Sequence, residues 1–441
     1  MERILNRIPS FWLVILGFLG IILAGALLLM LPFATRPGES TTFSDALFTA
    51  TSAVCVTGLV VHDTVSHWTL AGQGIILLLI QLGGLGVVMA VIGLSMIRRK
   101  QIGLKQRNLM QDSVSAPSLG GIMDLFLFII KGFILFETAG ALCFLLSWHS
   151  SMPELQNIWY SLFHSVSAFC NAGFDLMGAN APFSSLTAWS GHTLINTAVM
   201  LLIIFGGIGF VSWKDIIQHR LSFRKYHLQT KIILVTSLLL VLLPALFFFL
   251  TELKNLPLKD RLLASLFQSV TTRTAGFNTV DLTAFSDRGV AIMILLMLTG
   301  GSPGSTAGGM KTTTLAVLAA TAWSVLRKSP DTILFQRRIR SEQIRTAMSL
   351  LFVYFTLFFL GGMVISAVEE LPLLTCLFET ASAIGTVGLT LGITPSLGLF
   401  SRIILMFLMF LGRVGGMTVF FALIPAEHTA GKYPAEPIAI G

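Results

Sequence analysis

Long apolar runs alternate with short polar stretches along the whole of the 441-residue chain. Eight of these runs have the length of a membrane-spanning helix, because about 20 apolar residues cross the hydrocarbon core of a bilayer. The runs occur in four pairs, at 11–33 and 71–97, 122–148 and 190–213, 230–250 and 288–323, and 344–368 and 397–424. The pattern therefore predicts eight spanning helices.

A shorter element, repeated four times, lies between the two runs of each pair. Each copy begins near a Leu-Phe pair, continues through a stretch rich in Ser, Thr and Ala, and reaches a glycine that is followed by Leu or Phe. The copies are SDALFTATSAVCVTGLV (44–60), WYSLFHSVSAFCNAGFD (159–175), LLASLFQSVTTRTAGFN (262–278) and LTCLFETASAIGTVGLT (374–390). The phenylalanine precedes the glycine by ten residues in copies one, two and four, and by nine in copy three. Such repetition indicates four units of one structure.

The short elements are too brief to cross a bilayer. Each has about 12 helical residues, whereas a helix needs about 20 to cross a core that is about 30 Å thick. We therefore expect re-entrant half-helices. Irregular backbone at membrane depth persists only where it is buried in protein or lines a water-filled path. Four such segments around one axis would line a pore.

The fold class that follows is an all-α integral membrane protein made of four repeats of a spanning helix, a short helix and a second spanning helix. It has eight transmembrane helices and four re-entrant pore half-helices around one pore. The repeats cover 11–97, 122–213, 230–323 and 344–424, and a C-terminal tail covers 425–441.

The glycine loops have the chemistry of a potassium selectivity filter. A potassium ion must exchange its water shell for other oxygens, and rings of backbone carbonyls supply them. Glycine adopts the φ values that direct successive carbonyls to one side without steric cost. Half-helices whose C-terminal ends face the pore add a favourable field. The predicted filter residues are Val56, Thr57, Gly58, Asn171, Ala172, Gly173, Thr274, Ala275, Gly276, Thr386, Val387 and Gly388.

Glycines also interrupt helices in secondary active transporters, which bind their solutes near the membrane midplane. Those folds commonly contain two repeats, whereas this sequence contains four, so the channel-like interpretation is favoured. A secondary active transporter for another small solute stays open as the alternative, and a structural membrane scaffold is a weaker third. No enzymatic activity is expected.

The composition agrees with a membrane location. The chain is 54% hydrophobic and 11% charged, with a mean hydropathy of +0.83, whereas soluble proteins contain about 25% charged residues. The first apolar run has no small-residue cleavage site after it, so we expect a retained helix. The four cysteines lack CxxC spacing and predict neither a zinc site nor a disulfide framework.

The basic residues lie mainly on one side of the predicted membrane helices. Most of the 29 Lys and Arg residues fall in the connections 98–107, 214–231 and 327–345, on one side of the eight-helix pattern. The positive-inside rule therefore predicts a multi-pass protein of the cytoplasmic membrane with both termini in the cytoplasm. Nucleic acid is not expected as a partner, since the basic residues are scattered among short loops without a DNA-reading motif.

A polar stretch, GSPGSTAGGMK (301–311), interrupts the second apolar run of repeat 3. It is not a phosphate-binding loop, because Met310 stands where that motif requires glycine before Lys311. Glycine and proline disfavour a helix here, and the position after the filter predicts an intramembrane gate. The predicted gate residues are Gly301, Ser302, Pro303, Gly304, Ser305, Thr306, Gly308, Gly309 and Lys311.

The motifs resemble those of the Trk/Ktr/HKT superfamily of potassium transporters. The resemblance rests on TTRTAGFN, SAIGTVGLT, GGSPGSTAGGMKTT and FLGRVGGMT (410–418), and it runs from about residue 12 to the C-terminal GKYPAEPIAIG. The compact length is similar to that of the KtrB-type membrane subunit. In this superfamily the filter glycines govern selectivity, and HKT members with serine at the first position tend to pass sodium. All four positions are glycine here, which favours potassium, although no repeat has the second glycine of a GYG filter.

The resemblance implies a potassium-channel-like fold of four M1-P-M2 repeats, and it also implies partners and cofactors. It implies a homodimer in the lipid bilayer with one pore per subunit, and a separate cytosolic ring of KtrA-type regulatory subunits. Nucleotide, as ATP, ADP or NAD, would bind that ring, and this chain would hold no cofactor. Potassium is the implied substrate, and sodium is a candidate activator or symported ion.

Arg413 lies within the last apolar run, 25 residues after Gly388. An ionisable residue inside a membrane span is costly and indicates a function. Its motif position matches the superfamily arginine that lies in the pore below the filter, so we assign it to the gate. The alternative is a structural ion pair with Glu379 or Glu137.

Overall fold

The computed structural model describes residues 9–90, 93, 104–114, 120–179, 181–220, 222–423 and 436–438. The predictions for the N-terminus, for most of the tail 425–441 and for part of the connection 98–107 lie outside these residues. The described chain is mostly helical, and its two short strands, Ile333–Leu334 and Arg337–Arg338, form an antiparallel hairpin.

Four long apolar helices begin the four units, and we call them the outer helices. They are Ser10–Leu29, Ile122–Trp148, Leu228–Leu250 and Ser341–Glu369. Within the described residues, these four are long and apolar enough to cross a membrane individually. Many of their leucines, such as Leu135 and Leu243, are exposed, as expected for helices that face lipid.

Each outer helix is followed by one of the four predicted short elements, which we call the short helices. They are Phe43–Val54, Glu154–Phe169, Leu258–Thr271 and Leu373–Gly385. The phenylalanine of the repeated Leu-Phe pair is fully buried in all four, at Phe48, Phe163, Phe267 and Phe378. The repeated aromatic residue therefore anchors each short helix in the protein core.

The second apolar run of each pair begins as what we call an inner helix. The inner helices are Leu70–Leu85, Thr193–Ile208, Asp287–Leu298 and Leu399–Val414. Shorter helical segments of the described chain are Thr64–His67, Leu104–Ser113, Thr187–Trp189, Phe223–Lys225, Leu282–Ala284 and Thr394–Ser396.

The prediction of uninterrupted second helices is wrong for units 1, 2 and 4. Each inner helix there ends at a glycine with left-handed φ, Gly86 at +88°, Gly209 at +99° or Gly415 at +93°, which L side chains rarely adopt. The chain resumes as helix directly afterwards, in units 2 and 4 as Phe210–His219 and Gly416–Leu423. In unit 2 the two segments meet at 97°. In unit 3 the break is longer, as predicted from its polar sequence, and helix resumes at Thr312–Leu326.

The four units close into a ring. Each short helix packs against the outer helix of its own unit. Each inner helix also packs against the short helix of the next unit, and the inner helix of unit 4 packs against the short helix of unit 1. This cyclic packing arranges the four short helices around one axis.

Candidate functional site

The glycine at the end of each repeated element lies where the four units meet. We call Gly58, Gly173, Gly276 and Gly388 the glycine ring, and their φ angles are +92°, +69°, +81° and +92°. A Cβ atom on any of them would lie within 2.6 Å of the carbonyl oxygen of the residue that precedes the next glycine. Those carbonyls belong, in ring order, to Ala172, Ala275, Val387 and Thr57. The contacts return to the first unit, so the ring is closed and has no space for a side chain.

The residue before each ring glycine has its backbone N–H tied back to the short helix. The acceptor is in every unit a Ser or Thr carbonyl, with N···O distances of 2.8 Å for Thr57 to Ser52, 2.8 Å for Ala172 to Ser167, 2.9 Å for Ala275 to Thr271 and 2.8 Å for Val387 to Ser382. In a trans peptide the carbonyl points opposite to the N–H. The preceding carbonyls, those of Val56, Asn171, Thr274 and Thr386, therefore point away from the short helices.

The hydroxyl groups of the same Ser and Thr residues also support the loops, a role that sequence reasoning missed. Ser52 Oγ and Ser382 Oγ accept hydrogen bonds from the N–H groups of Gly58 and Gly388, each at 3.0 Å. In units 2 and 3, Ser167 Oγ and Thr271 Oγ1 donate to the carbonyls that follow the glycine, those of Phe174 and Phe277, at 2.7 and 2.6 Å. The sequence does contain a pattern that marks these residues. A Ser or Thr stands six residues before the glycine in units 1, 2 and 4 and five residues before it in unit 3.

The loops of units 1, 2 and 4 share a strained conformation. The residue two positions before the glycine has positive φ, at +50° for Val56, +59° for Asn171 and +51° for Thr386. Such a conformation is uncommon for residues with a side chain and for a β-branched residue is an outlier. Thr274, the equivalent residue in the shorter unit 3 loop, does not have positive φ. The four loops are therefore similar but not identical in geometry.

A cavity of about 120 Å³ adjoins the glycine ring on one side, and all four ring glycines line it. We call it the acidic cavity, because Asp63 and Asp175 also line it. Asp63 accepts hydrogen bonds from the backbone N–H groups of Val65, Ser66 and Phe183, so its carboxylate joins the loops of units 1 and 2. Two acidic side chains therefore lie on this side of the glycine ring.

The predicted gate residues lie in a loop of 299–311, which folds back on itself and touches the glycine loops. Its two ends are joined by hydrogen bonds from Gly300 N to Met310 O at 2.7 Å and from Thr312 N to Gly301 O at 3.1 Å. Thr306 in the middle accepts a bond from Asn171 Nδ2 at 2.8 Å. Asn171 Oδ1 in turn accepts from Thr274 Oγ1 at 3.1 Å. One side chain thus links the loop to two of the predicted filter segments.

The same loop is bonded to the inner helices at their breaks. Ser302 N and Thr306 N donate to the carbonyls of Gly207 and Gly206, at 2.9 and 3.1 Å. Gly304 accepts from Phe210 N at 2.7 Å. The remaining predicted gate residues, Gly301, Pro303, Ser305, Gly308, Gly309 and Lys311, belong to the same folded loop.

Arg413 fastens the loop to two other units. Its guanidinium, carried by the inner helix of unit 4, donates to the carbonyls of Thr306 and Gly83, and to that of Gly84 at 3.2 Å. An ion pair with Glu379 or Glu137, the alternative from sequence, is not formed among the described residues; Glu137 instead accepts from Gln81 Nε2 at 2.9 Å. The arginine therefore binds backbone carbonyls of units that are distant in sequence.

A second cavity, of about 540 Å³, lies on the other side of the loop. We call it the basic cavity, because Lys311 and Arg413 line it together with the break glycines Gly86 and Gly415. Lys311 Nζ donates to the loop carbonyls of Ala307 and Gly308, at 2.8 and 3.3 Å. The loop 299–311 thus contacts the glycine loops on one side and lines this cavity on the other.

Convergent backbone carbonyls at the centre of a bundle of apolar helices can replace the water shell of a small cation. The fold and the site define a membrane protein of the cation-transport class. The TrkH family, described as cation transport proteins, matches residues 14–431, and the chain belongs to that family. The resemblance of its motifs to the Trk and Ktr transporters is confirmed.

Known relatives match along nearly the whole chain. The potassium/sodium uptake protein NtpJ of Enterococcus hirae is 39% identical over 100% of this chain and 99% of its own length. The Ktr system potassium uptake protein B of Bacillus subtilis is 37% identical over 97% of this chain and 95% of its own. The crystal structure of the potassium transporter TrkH from Vibrio parahaemolyticus has the same fold, with a TM-score of 0.72 at 19% identity over 95% of this chain and 86% of that one.

Proposed function

We propose that this chain takes up potassium across the cytoplasmic membrane through a pore along the axis of the glycine ring. The observation that carries the proposal is the closed ring of contacts in which each glycine meets the carbonyl that precedes the next. Rings of backbone carbonyls coordinate potassium in place of water. The names of the relatives, which specify potassium or potassium and sodium, support the choice of ion. The twelve predicted filter residues would supply the coordinating carbonyls.

In this proposal the chain crosses the membrane eight times, and each broken inner helix completes one crossing with its second segment. The acidic cavity faces the outside, where its carboxylates attract cations, and the basic cavity faces the cytoplasm together with both termini. The C-terminal ends of the short helices lie next to the glycine loops, so their partial negative charge favours a cation in the ring.

The loop 299–311 acts as the gate in the same proposal. It lies between the glycine loops and the basic cavity, and hydrogen bonds to units 2 and 4 hold it there. Ions can pass only when these bonds are released. Sodium is proposed as an activator, and its effect is measurable in the same uptake assays as the potassium flux.

Arg413 provides the clearest test of the closed gate. Arg413→Ala should raise the maximal rate of potassium uptake by about tenfold, because hydrogen bonds to a charged group are worth about 1.5–3 kcal/mol and these favour the closed loop. Arg402→Gln is the control, since Arg402 lies on the same helix but binds Asp45 Oδ1 at 2.7 Å and Pro395 O at 3.0 Å. An unchanged or lower rate in Arg413→Ala at normal protein levels would contradict the gating role.

The regulator is proposed as a separate cytosolic KtrA-type ring that binds nucleotide and acts on a homodimer of this chain. The segment after the gate ends in the hairpin, where Arg337 and Arg338 are exposed and Arg338 pairs with Asp331 at 2.8 Å. Replacing Arg337, Arg338, Arg340 and Arg345 by glutamine should weaken co-purification with the ring at moderate salt and leave the homodimer intact. Neutralising Lys254, Lys259 and Arg288, on the opposite side in the proposed topology, should have no effect. Equal retention of the ring by both variants would exclude this docking surface.

Potassium uptake in cells that lack their own uptake systems tests the function directly. We expect growth at low potassium and saturable uptake that prefers potassium over sodium, with the partner ring co-expressed. Uptake of a neutral solute in place of potassium would favour the alternative, a secondary active transporter. Failure to rescue growth, with and without the ring, would contradict the proposed function.

A further inference from the structure

The residue that directly follows the repeated Leu-Phe pair is polar in every unit, although it faces the protein interior. These residues are Thr49, His164, Gln268 and Glu379, and each is at most 2% exposed. Buried polar groups are costly unless they are hydrogen-bonded. Two of the four use their bonds in the same way, to hold the chain just beyond the ring glycine.

Glu379 holds the loop of unit 4. Its carboxylate accepts hydrogen bonds from the hydroxyl of Thr390 and from Thr394 Oγ1, the latter at 3.1 Å. The backbone N–H of Leu391, which lies three residues after Gly388, also interacts with this carboxylate. No Lys or Arg of the described chain forms an ion pair with it. The contact is therefore a set of hydrogen bonds between the short helix and the segment after the filter.

His164 makes the equivalent contact in unit 2. Its Nε2 accepts a bond from the backbone N–H of Leu176 at 3.3 Å, and Leu176 also lies three residues after the ring glycine. Its Nδ1 donates to the carbonyl of Tyr160 at 2.7 Å, which fixes the neutral tautomer needed for that acceptor. Gln268 donates within unit 3 to Thr272 Oγ1 and Met293 Sδ, and the Thr49 side chain forms no hydrogen bond with the other described residues. The chemistry of this position thus differs between units.

We propose that Glu379 is a positioning residue that sets the preference for potassium over sodium, and that His164 acts likewise in unit 2. The inference rests on the proposed function. In unit 4 the loop is held before the glycine by the bond from Val387 N to Ser382 O, and after it by Glu379. With both ends fixed, the carbonyls keep the spacing that suits potassium. If the second attachment is lost, they can close around the smaller sodium ion.

Uptake kinetics of Glu379→Ala and Glu379→Gln test this role. Glu379→Ala should lose about tenfold in discrimination between the two ions, the size expected for the loss of several hydrogen bonds. The loss should appear in the KM values for potassium and sodium rather than in the maximal rate. Glu379→Gln keeps an acceptor at the same position and should restore most of the discrimination. If the two variants are equally defective, positioning by hydrogen bonds is wrong and the charge is the active feature.

The partner side of the contact gives an independent test. The double variant Thr390→Val with Thr394→Val removes both hydroxyl donors at nearly constant volume and should reproduce most of the loss seen in Glu379→Ala, because only the contact with the Leu391 N–H remains. Combining all three changes should add nothing, because one interaction is removed from either side. Thr49→Val, the matched change in unit 1, should retain the native discrimination. The inference would be overturned if the double variant and Glu379→Ala both take up potassium normally and both keep the native preference for potassium over sodium. That result would leave the proposed function unaffected.

Discussion

Replacing Gly388 by serine is expected to reduce the preference for potassium over sodium by about tenfold or more, which corresponds to about 1.4 kcal/mol. A side chain at this position meets the carbonyl of Thr57 and the backbone of Gly58. The φ of +92° adds strain, since left-handed conformations cost residues with a side chain about 1–2 kcal/mol. Both effects displace a carbonyl that is proposed to coordinate the ion. Gly58→Ser should behave alike, because its side chain meets the carbonyl of Ala172.

Gly38 separates the steric effect from the backbone strain. It also has a φ of +92°, but no atom lies within 4 Å of a Cβ placed there. Gly38→Ser should therefore retain the native ion preference, although its backbone is strained to the same degree. Apparent affinities for potassium and sodium from uptake assays provide the comparison. If serine at Gly58 and Gly388 leaves both affinities unchanged, the glycine ring is not the filter.

The glycine ring could be predicted from the sequence because its signal is local and repeated. Four glycines at nearly constant distance from a Leu-Phe pair require no knowledge of the fold. The supporting hydroxyls of Ser52, Ser167, Thr271 and Ser382 also recur at a nearly constant distance before the glycine. This distance alone does not distinguish them, because serine and threonine are common throughout the repeated elements. Their function depends on which backbone group faces them, and that follows only from the turn after the short helix.

The breaks in the inner helices could not be predicted with the same certainty. A glycine within an apolar run costs a helix only about 1 kcal/mol, so Gly86, Gly209 and Gly415 are compatible with uninterrupted helices. Only the polar stretch of unit 3 carries enough glycine, proline and hydroxyl residues to exclude one. In unit 2 the break is accompanied by a contact with unit 3, the hydrogen bond from Phe210 N to Gly304 O, and such a contact is not visible in any single run.

The partners of Arg413 were beyond sequence reasoning for a different reason. Its acceptors are backbone carbonyls of Gly83 and Thr306, which lie 330 and 107 residues away. A backbone carbonyl has the same chemistry in every residue, so no residue type marks it as a partner. Sequence reasoning therefore considered only carboxylates, and both of the candidates, Glu379 and Glu137, have other partners.

Removing residues 304–309 is expected to raise the maximal potassium flux by about an order of magnitude, because several hydrogen bonds of about 1 kcal/mol each hold the loop in place. The deletion removes Thr306 with its bonds to Asn171 and Arg413. The ends of the loop stay joined through Gly300 and Met310, so the flanking helices need not move. Dependence on the partner ring should fall, since the obstruction that the ring is proposed to move is absent.

Ion preference should change little in the deletion variant, because Asn171 keeps its bond to Thr274 and the glycine ring is untouched. A variant in which 304–309 are replaced by six glycine and serine residues retains the length but not the contacts of Thr306. Its potassium flux should lie between those of the native and the shortened protein if the flux is limited both by the bulk of the loop and by the hydrogen bonds of Thr306. A shortened protein that inserts normally but conducts no faster would make the loop a structural hinge. A changed preference for sodium at unchanged flux would instead assign the loop to the filter, because residues that coordinate the ion, or that position the coordinating carbonyls, discriminate between ions without altering the barrier to both.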